Sequence, residues 1–417
     1  MVYDTGRLVR REAHVGRVCS VPPKGLLTER PHNAAMQELS RTTTGASEAP
    51  AGRIVELDGL RGCACLLVVI GHYFGEVAHG ARFLRLEWVG VDLFFCLSGF
   101  LIGGILLDNR ESRSYWATFY IRRGFRIFPI YYLTVTLVLL ALPHFAGLVE
   151  PAYSAGVYYS YAQNILMSLT GVETSTWLTP TWTLCVEEQF YLLLPLIIFL
   201  APPRWLARIL VLLIASASLF RLGLVLLLAN KLAFFMLLPT EWDLLFLGVV
   251  GASVRRMPAL WSRLQDNDRR GLQIITFAGL VTVLLLAIAD NALGVRSFDV
   301  VGRLALGLAL TGLVLLLVSG SPEGVRFRSP VLRLFGVISY GLYLIHQPVA
   351  GILHGLILGG RPDIGTVPQL AVTIGAFGLS VGLAYLSWTY FESPLVHLGH
   401  HWRYSTSRRL GGERLRA

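Results

Sequence analysis

Two ionisable side chains, Arg61 and His72, stand eleven residues apart in the stretch LDGLRGCACLLVVIGHYF, residues 57–74. On a helix that spacing is close to three turns and about 16 Å of rise, so the two share one face at different depths. A neutral imidazole can take the proton of a hydroxyl as that hydroxyl attacks an activated carbonyl. A carboxylate beside it fixes the tautomer and stabilises the imidazolium. Glu187 and Glu188 open the run in WLTPTWTLCVEEQFYLLLPL, and Asp92 lies in WVGVDLFFCLSGF. Adjacent residues of a helix point about 100° apart, so one glutamate faces the bundle while the other faces a loop or water. Asp92 calls for a buried partner, an arginine or a histidine. A second histidine, His346 in VISYGLYLIHQPV, lies about twelve residues into its apolar run, at roughly the depth of His72. In FYIRRGFRIFPIYY, Arg122 and Arg126 share a helix face with Arg123 between them. Guanidinium groups suit bidentate binding of phosphates.

The candidate catalytic set is therefore His72, Glu187, Glu188, Asp92 and His346. The candidate set for holding a charged carrier is Arg61, Arg122, Arg123 and Arg126. A plainer role exists for each: interface anchoring for the arginines, packing for the histidines, a rim position for the glutamates. Ionisable residues within membrane helices are nonetheless expensive and are by default functional.

The elements that must carry these residues are membrane helices. The chain has 417 residues, of which 54% are hydrophobic and only 15% charged. Soluble domains carry about a quarter charged residues. Apolar runs fall near 57–75, 88–107, 127–142, 157–170, 184–200, 209–229, 234–253, 272–289, 300–319, 334–357 and 369–390. Most have the roughly 20 residues that cross a ~30 Å hydrocarbon core as a helix. The net charge of +10 sits in short loops between these runs, where it sets topology and meets anionic headgroups rather than nucleic acid.

Loop charge arbitrates the crossing count. The tail before the first run and the loop 108–126, which holds five arginines, are basic, whereas 143–156 has no lysine or arginine. The run 157–170 (VYYSYAQNILMSLT) is short and polar. If it spanned, the segments bearing Arg255, Arg256, Arg263, Arg269 and Arg270, then Arg326, Arg328 and Arg333, would fall outside. The positive-inside rule thus predicts an all-α polytopic bundle of about ten transmembrane helices with both termini cytoplasmic. Residues 157–183 become a short outer-side or re-entrant element.

Residues 1–53 are Arg-rich and lack an apolar run, which reads as a disordered cytoplasmic tail rather than a signal peptide. Residues 54–396 form the membrane unit and 397–417 a basic cytoplasmic tail. The five cysteines, Cys19, Cys63, Cys65, Cys96 and Cys185, read as free thiols. Cys63 and Cys65, about 200° apart on a helix, make a poor metal pair. No metal site is expected.

These motifs, taken together, resemble the acyltransferase-3 family of bacterial integral-membrane O-acyltransferases. Arg61 and His72 reproduce its Arg-x10-His pattern. GVDLFFCLSGFLI resembles its second helix and RRGFRIFPIYY the arginine motif of its third. TPTWTLCVEEQFYLLLP is similar to its W-S-L-x-V-E-E-Q-F-Y signature, with Thr183 and Cys185 where Ser and a small residue are usual. ISYGLYLIHQPV and YFESPL resemble its C-terminal motifs, and the likeness runs in order from about residue 54 to 396.

The resemblance implies transfer of an acyl group, acetyl first among them, from cytoplasmic acyl-CoA to a hydroxyl. His72 would be the catalytic residue, Arg61 would be required, and Arg122 and Arg126 would contact the donor. Acyl-CoA would act as a co-substrate, with no tightly bound cofactor. It also implies a multi-pass protein of the bacterial inner membrane, in contact with lipid and with a glycan or glycolipid acceptor of the envelope. A small molecule such as a macrolide is the alternative acceptor. No hydrolase-like module follows residue 396, which points to a stand-alone acylase. Two other classes compete. A lipid-linked glycosyltransferase would place catalytic acids in the first outer loop; Glu76 and Glu87 are there, but no acidic pair stands out and His72 is left without work. A transporter would show two matching halves, and no repeat is visible.

Overall fold

The computed structural model describes residues 54–227, 230–266, 269–293 and 296–405. The tail 1–53 with Cys19, and residues 406–417 of the basic C-terminal segment, lie outside them. The helices are α1 (Val55–Ile70), α2 (Glu87–Asp108), α3 (Tyr115–Ala141), α4 (Ala155–Tyr159), α5 (Gln163–Thr170), α6 (Trp182–Leu200), α7 (Pro203–Leu226) and α8 (Ala233–Met236). They continue as α9 (Leu238–Arg255), α10 (Pro258–Asp266), α11 (Arg269–Leu293), α12 (Arg303–Val318), α13 (Pro330–Leu358), α14 (Val367–Ser387) and α15 (Ser393–His400). Among the described residues there is no strand, and ten helical segments are long and apolar enough to cross a membrane. This is the architecture the apolar runs predict. In lipid a backbone must bond to itself, and a helix does so within one segment.

Contacts between loops define two ends of the bundle. At one, Arg256 pairs with Asp108 at 2.5 Å and Arg122 Nε donates to the Trp402 carbonyl at 2.8 Å. At the other, Glu150 pairs with Arg361 and His79 with Asp363, both at 2.7 Å. Successive spans alternate between the ends, so α1 begins where α15 finishes. The former is called the arginine end below.

The segment 157–170 does not cross. It breaks into α4 and α5, five and eight residues long, at the end opposite the arginines. Its buried amides are held: Gln163 donates to the Tyr131 hydroxyl and the Thr181 carbonyl, and Asn164 to the Met236 carbonyl at 2.9 Å. Non-helical backbone at such depth is tolerated where protein surrounds it.

One boundary differs from the sequence expectation with a consequence for the site. The third span begins at Tyr115, not near 127. Tyr115, Thr118 and Phe119 bury one face of the early turns, so the helix extends well below the apolar run. Arg122, Arg123 and Arg126 project from this helix, as the shared face expected for Arg122 and Arg126 requires.

Two helix pairs approach backbone to backbone. A Cβ at Gly62 would lie 1.9 Å from the Leu332 carbonyl oxygen and one at Gly336 1.8 Å from that of Asp58, locking α1 to α13. Gly99 and Gly248 do the same for α2 and α9. Small residues at helix crossings are how membrane bundles gain packing without a hydrophobic driving force between helices. The two pairs fix α1, which leads into the turn bearing His72, and α2 and α13, which carry Asp92 and His346.

Candidate active site

His72 lies in a π-turn, Gly71–Gly75, that closes the first span toward the end opposite the arginines. α1 starts at Val55, and about 16 Å of rise from Arg61 carries His72 to the last turn of its segment. Single π-turns recur at functional sites because they re-aim a side chain. Its neighbour Tyr73 is buried and its hydroxyl donates to the His346 carbonyl at 2.7 Å, with Ser380 of α14 at 2.8 Å.

The two histidines meet. His72 Nδ1 lies 2.8 Å from His346 Nε2, with the rings inclined by 14°. His346 Nδ1 faces two backbone carbonyls, Tyr343 at 2.7 Å and Leu342 at 3.2 Å. Carbonyl oxygens only accept, so His346 carries its proton on Nδ1 and presents a lone pair at Nε2. His72 must then donate from Nδ1. The lone pair of His72 is left at Nε2, which faces Glu76 Oε2 at 3.4 Å. A base of defined tautomer follows from the hydrogen-bond partners. Burial raises the Glu76 carboxyl above its ordinary range; Arg85 pulls it back and Glu173 pushes it further up.

His72 and Arg61 do not line one channel. They line two cavities that have Val91 and Tyr343 in common. The first holds Arg61, Arg123, Arg126, Ser98, Glu187 and Tyr191. The second holds His72, Glu76, Glu87, Asp92, Glu173 and Arg303. Arg122 enters neither. It lies with Arg123, Arg126, His400 and Tyr404 around a smaller cavity at the arginine end, where Tyr404 stacks 5.3 Å from its guanidinium.

The acidic candidates separate. Glu187 accepts from Ser98 Oγ at 2.5 Å and from the Tyr191 hydroxyl at 3.3 Å inside the arginine cavity. Glu188 points elsewhere, within electrostatic reach of Arg123 and the phenols of Tyr132, Tyr161 and Tyr340. Asp92 lines the histidine cavity, but its partner is Arg303 at 3.0 Å, which Glu241 also holds at 2.6 Å. Thr183 and Cys185 keep the local geometry: Thr183 Oγ1 meets the Tyr343 hydroxyl at 2.9 Å, and Cys185 donates to the Thr181 carbonyl. Cys63, Cys65, Cys96 and Cys185 are free, and among the described residues no group of His, Cys, Asp and Glu could hold a metal ion.

The motifs thus recur in order along one membrane unit, and comparison with known families agrees with them. A family model described as an acyltransferase domain matches residues 54–389. The chain belongs to the acyltransferase-3 family. It is similar to O-acetyltransferase OatA of Staphylococcus aureus (strain NCTC 8325 / PS 47), 26% identical over 363 residues that cover 82% of this chain and 57% of that protein. Peptidoglycan O-acetyltransferase OatA of Listeria monocytogenes is 26% identical over 370 residues, 82% of this chain and 56% of that one. A putative acetyltransferase, ORF330, of Acidianus two-tailed virus is 27% identical over 329 residues, 78% of this chain and 90% of that one. The chain spans little more than half the length of the OatA relatives. No solved structure matches it.

Within this acyltransferase-3 domain several residues escaped the sequence reading. Glu76 stands four residues after His72, a spacing that places side chains together on a helix, yet it reads first as a loop acid. Ser98 carries no signal beyond being polar in an apolar run. Arg221, Glu241, Asp243 and Arg303 did carry one, as ionisable residues inside or at the start of apolar runs.

Proposed function

We propose that the chain is a membrane O-acetyltransferase that takes an acetyl group from acyl-CoA at the arginine end and gives it to a hydroxyl of a cell-envelope glycan at the other. The observation that carries this reading is the pair of cavities: an arginine-lined one and a histidine-lined one that converge on Val91 and Tyr343. An acyl thioester reaching up from the arginines would place its carbonyl between Arg61 and His72. The acceptor hydroxyl donates its proton to His72 Nε2 as its oxygen attacks that carbonyl. The tetrahedral intermediate collapses, the C–S bond breaks, and the thiolate takes the proton from the imidazolium. Glu76, beside Nε2, stabilises the charge in between. The names of the OatA relatives support acetyl as the group and an envelope glycan as the acceptor.

The donor half is tested by titrating acetyl-CoA against purified variants. A charge-assisted contact to phosphate contributes roughly 1.5–3 kcal/mol, so losing one weakens donor binding about ten- to a hundredfold. Arg61→Ala, Arg123→Ala and Arg126→Ala are expected to show this, with acceptor affinity little changed. Arg122→Ala is expected to show less, because its guanidinium is already engaged by Trp402 and Tyr404. Unchanged donor affinity in the first three would remove coenzyme A from this cavity.

The proposal also needs the arginine end to face the cytoplasm of a bacterial inner membrane, as the loop charges favour. Tags at both termini are expected to be cytoplasmic, and a cysteine placed near Glu150 to label from outside. Labelling of a C-terminal tag from outside would reverse or break this topology.

A further inference from the structure

The two cavities carry opposite charge. Three guanidinium groups face one carboxylate, Glu187, in the first. In the second, Glu76, Glu87, Asp92 and Glu173 face Arg303, which Asp92 and Glu241 already hold, and Arg85 lies 4.0 Å from Glu76. A cluster of acids at a rim would mean little, since solvated carboxylates are common there. Here one of them is buried: Asp92 is 1% exposed, lines the cavity, and its Oδ2 has no partner in the protein. Its Oδ1 is held by Arg303, which fixes the carboxylate at the cavity wall. Four aromatic side chains, Trp88, Trp182, Phe235 and Tyr343, share the rest of the wall with aliphatic and polar ones. Carboxylates accept hydrogen bonds from hydroxyls and amide N–H groups, and flat rings pack against the C–H faces of a pyranose. Both favour a sugar, and the charge favours one without an anion.

We propose that this cavity selects the acceptor by charge, taking an uncharged glycosyl unit and rejecting one that carries a carboxylate or phosphate. The proposal rests on the reading of the histidine cavity as the acceptor site. A like charge about 8–10 Å from a net negative cluster, discounted for screening, lowers affinity about tenfold.

The test compares two oligomers of N-acetylglucosamine of equal length, one bearing hydroxyethyl ethers and the other carboxymethyl ethers. They match in bulk and differ in charge. Equilibrium binding to the full chain in detergent, read by quenching of tryptophan emission, is expected to favour the hydroxyethyl form about tenfold at low salt. High salt should shrink that preference, because it is electrostatic. Glu173→Gln, at the exposed rim, should reduce it severalfold, and Asp92→Asn should reduce it further. Equal affinities for the two forms, binding of neither, or a preference that survives both substitutions unchanged would overturn the proposal. The acetyl-CoA titration is independent of this result. Lost donor binding with intact sugar discrimination would count against the transferase reading alone, and the converse against charge selection alone.

Discussion

His72→Ala is expected to reduce acetyl transfer by about a hundred- to ten-thousandfold, the range over which a positioned general base acts, while the protein still inserts and binds acetyl-CoA. The sharper expectation concerns His346. Its Nδ1 is committed to the carbonyls of Tyr343 and Leu342, so its Nε2 can only accept. That atom holds the His72 proton on Nδ1 and keeps the reactive lone pair at Nε2. His346→Phe keeps a ring of similar size and removes the acceptor. His72 is then free to carry its proton on Nε2, where it blocks catalysis. The expected result is a fall in kcat of about a hundredfold, smaller than for His72→Ala, with KM for donor and acceptor nearly unchanged. If His346 served packing alone, the phenylalanine would fill the space and kcat would survive. Near-normal turnover in His72→Ala would remove it as the base, and near-normal turnover in His346→Phe would remove the tautomer argument while leaving His72 in place.

The histidine pair also shows how far a sequence can be read. Each histidine is legible alone as an ionisable group in an apolar run, and their similar depth is a matter of counting residues. Their contact is not, because it depends on how α1 and α13 cross, and that crossing is set by Gly62 and Gly336, whose close approach has no period to detect. The spans themselves were legible, since a hydrocarbon core fixes their length and loop charge excluded the short, polar 157–170 as an eleventh. The π-turn at Gly71–Gly75 that carries His72 was not, because a helical wheel of 3.6 residues cannot anticipate it. Arg122 and Arg126 share a face on the wheel, yet the C-terminal segment takes Arg122 away. That contact lies more than two hundred residues off in sequence, beyond any local pattern. Asp92 illustrates the intermediate case. The need for an arginine or histidine partner followed from burial, but the choice of Arg303 did not.

Arg221→Ala is expected to destabilise the protein by about 3–5 kcal/mol, the scale for breaking a buried ion pair by removing one partner. Arg221 and Asp243 are both fully buried and meet at 2.5 Å. The same guanidinium donates to the Thr240 and Val300 carbonyls and lies 3.3 Å from Ser218 Oγ, so one side chain ties α7 to α9 and to the turn that opens the α12 span. Without it, the Asp243 carboxylate is left charged in an apolar interior, and the two carbonyls lose a donor. The loss arises mostly from that stranded charge rather than from a large net gain by the pair itself, because burying two ions offsets much of their attraction. The double substitution Arg221→Met with Asp243→Leu removes both charges and keeps much of the volume. It should therefore recover most of the stability that Arg221→Ala loses. Thermal unfolding in detergent of Arg221→Met, Asp243→Leu and the double variant forms the cycle that isolates the coupling. Donor and acceptor binding should persist in the double variant, since neither residue lines the two cavities. Additive losses, with the double variant worse than either single one, would mean that the pair is not energetically coupled and that other contacts hold α7 against α9.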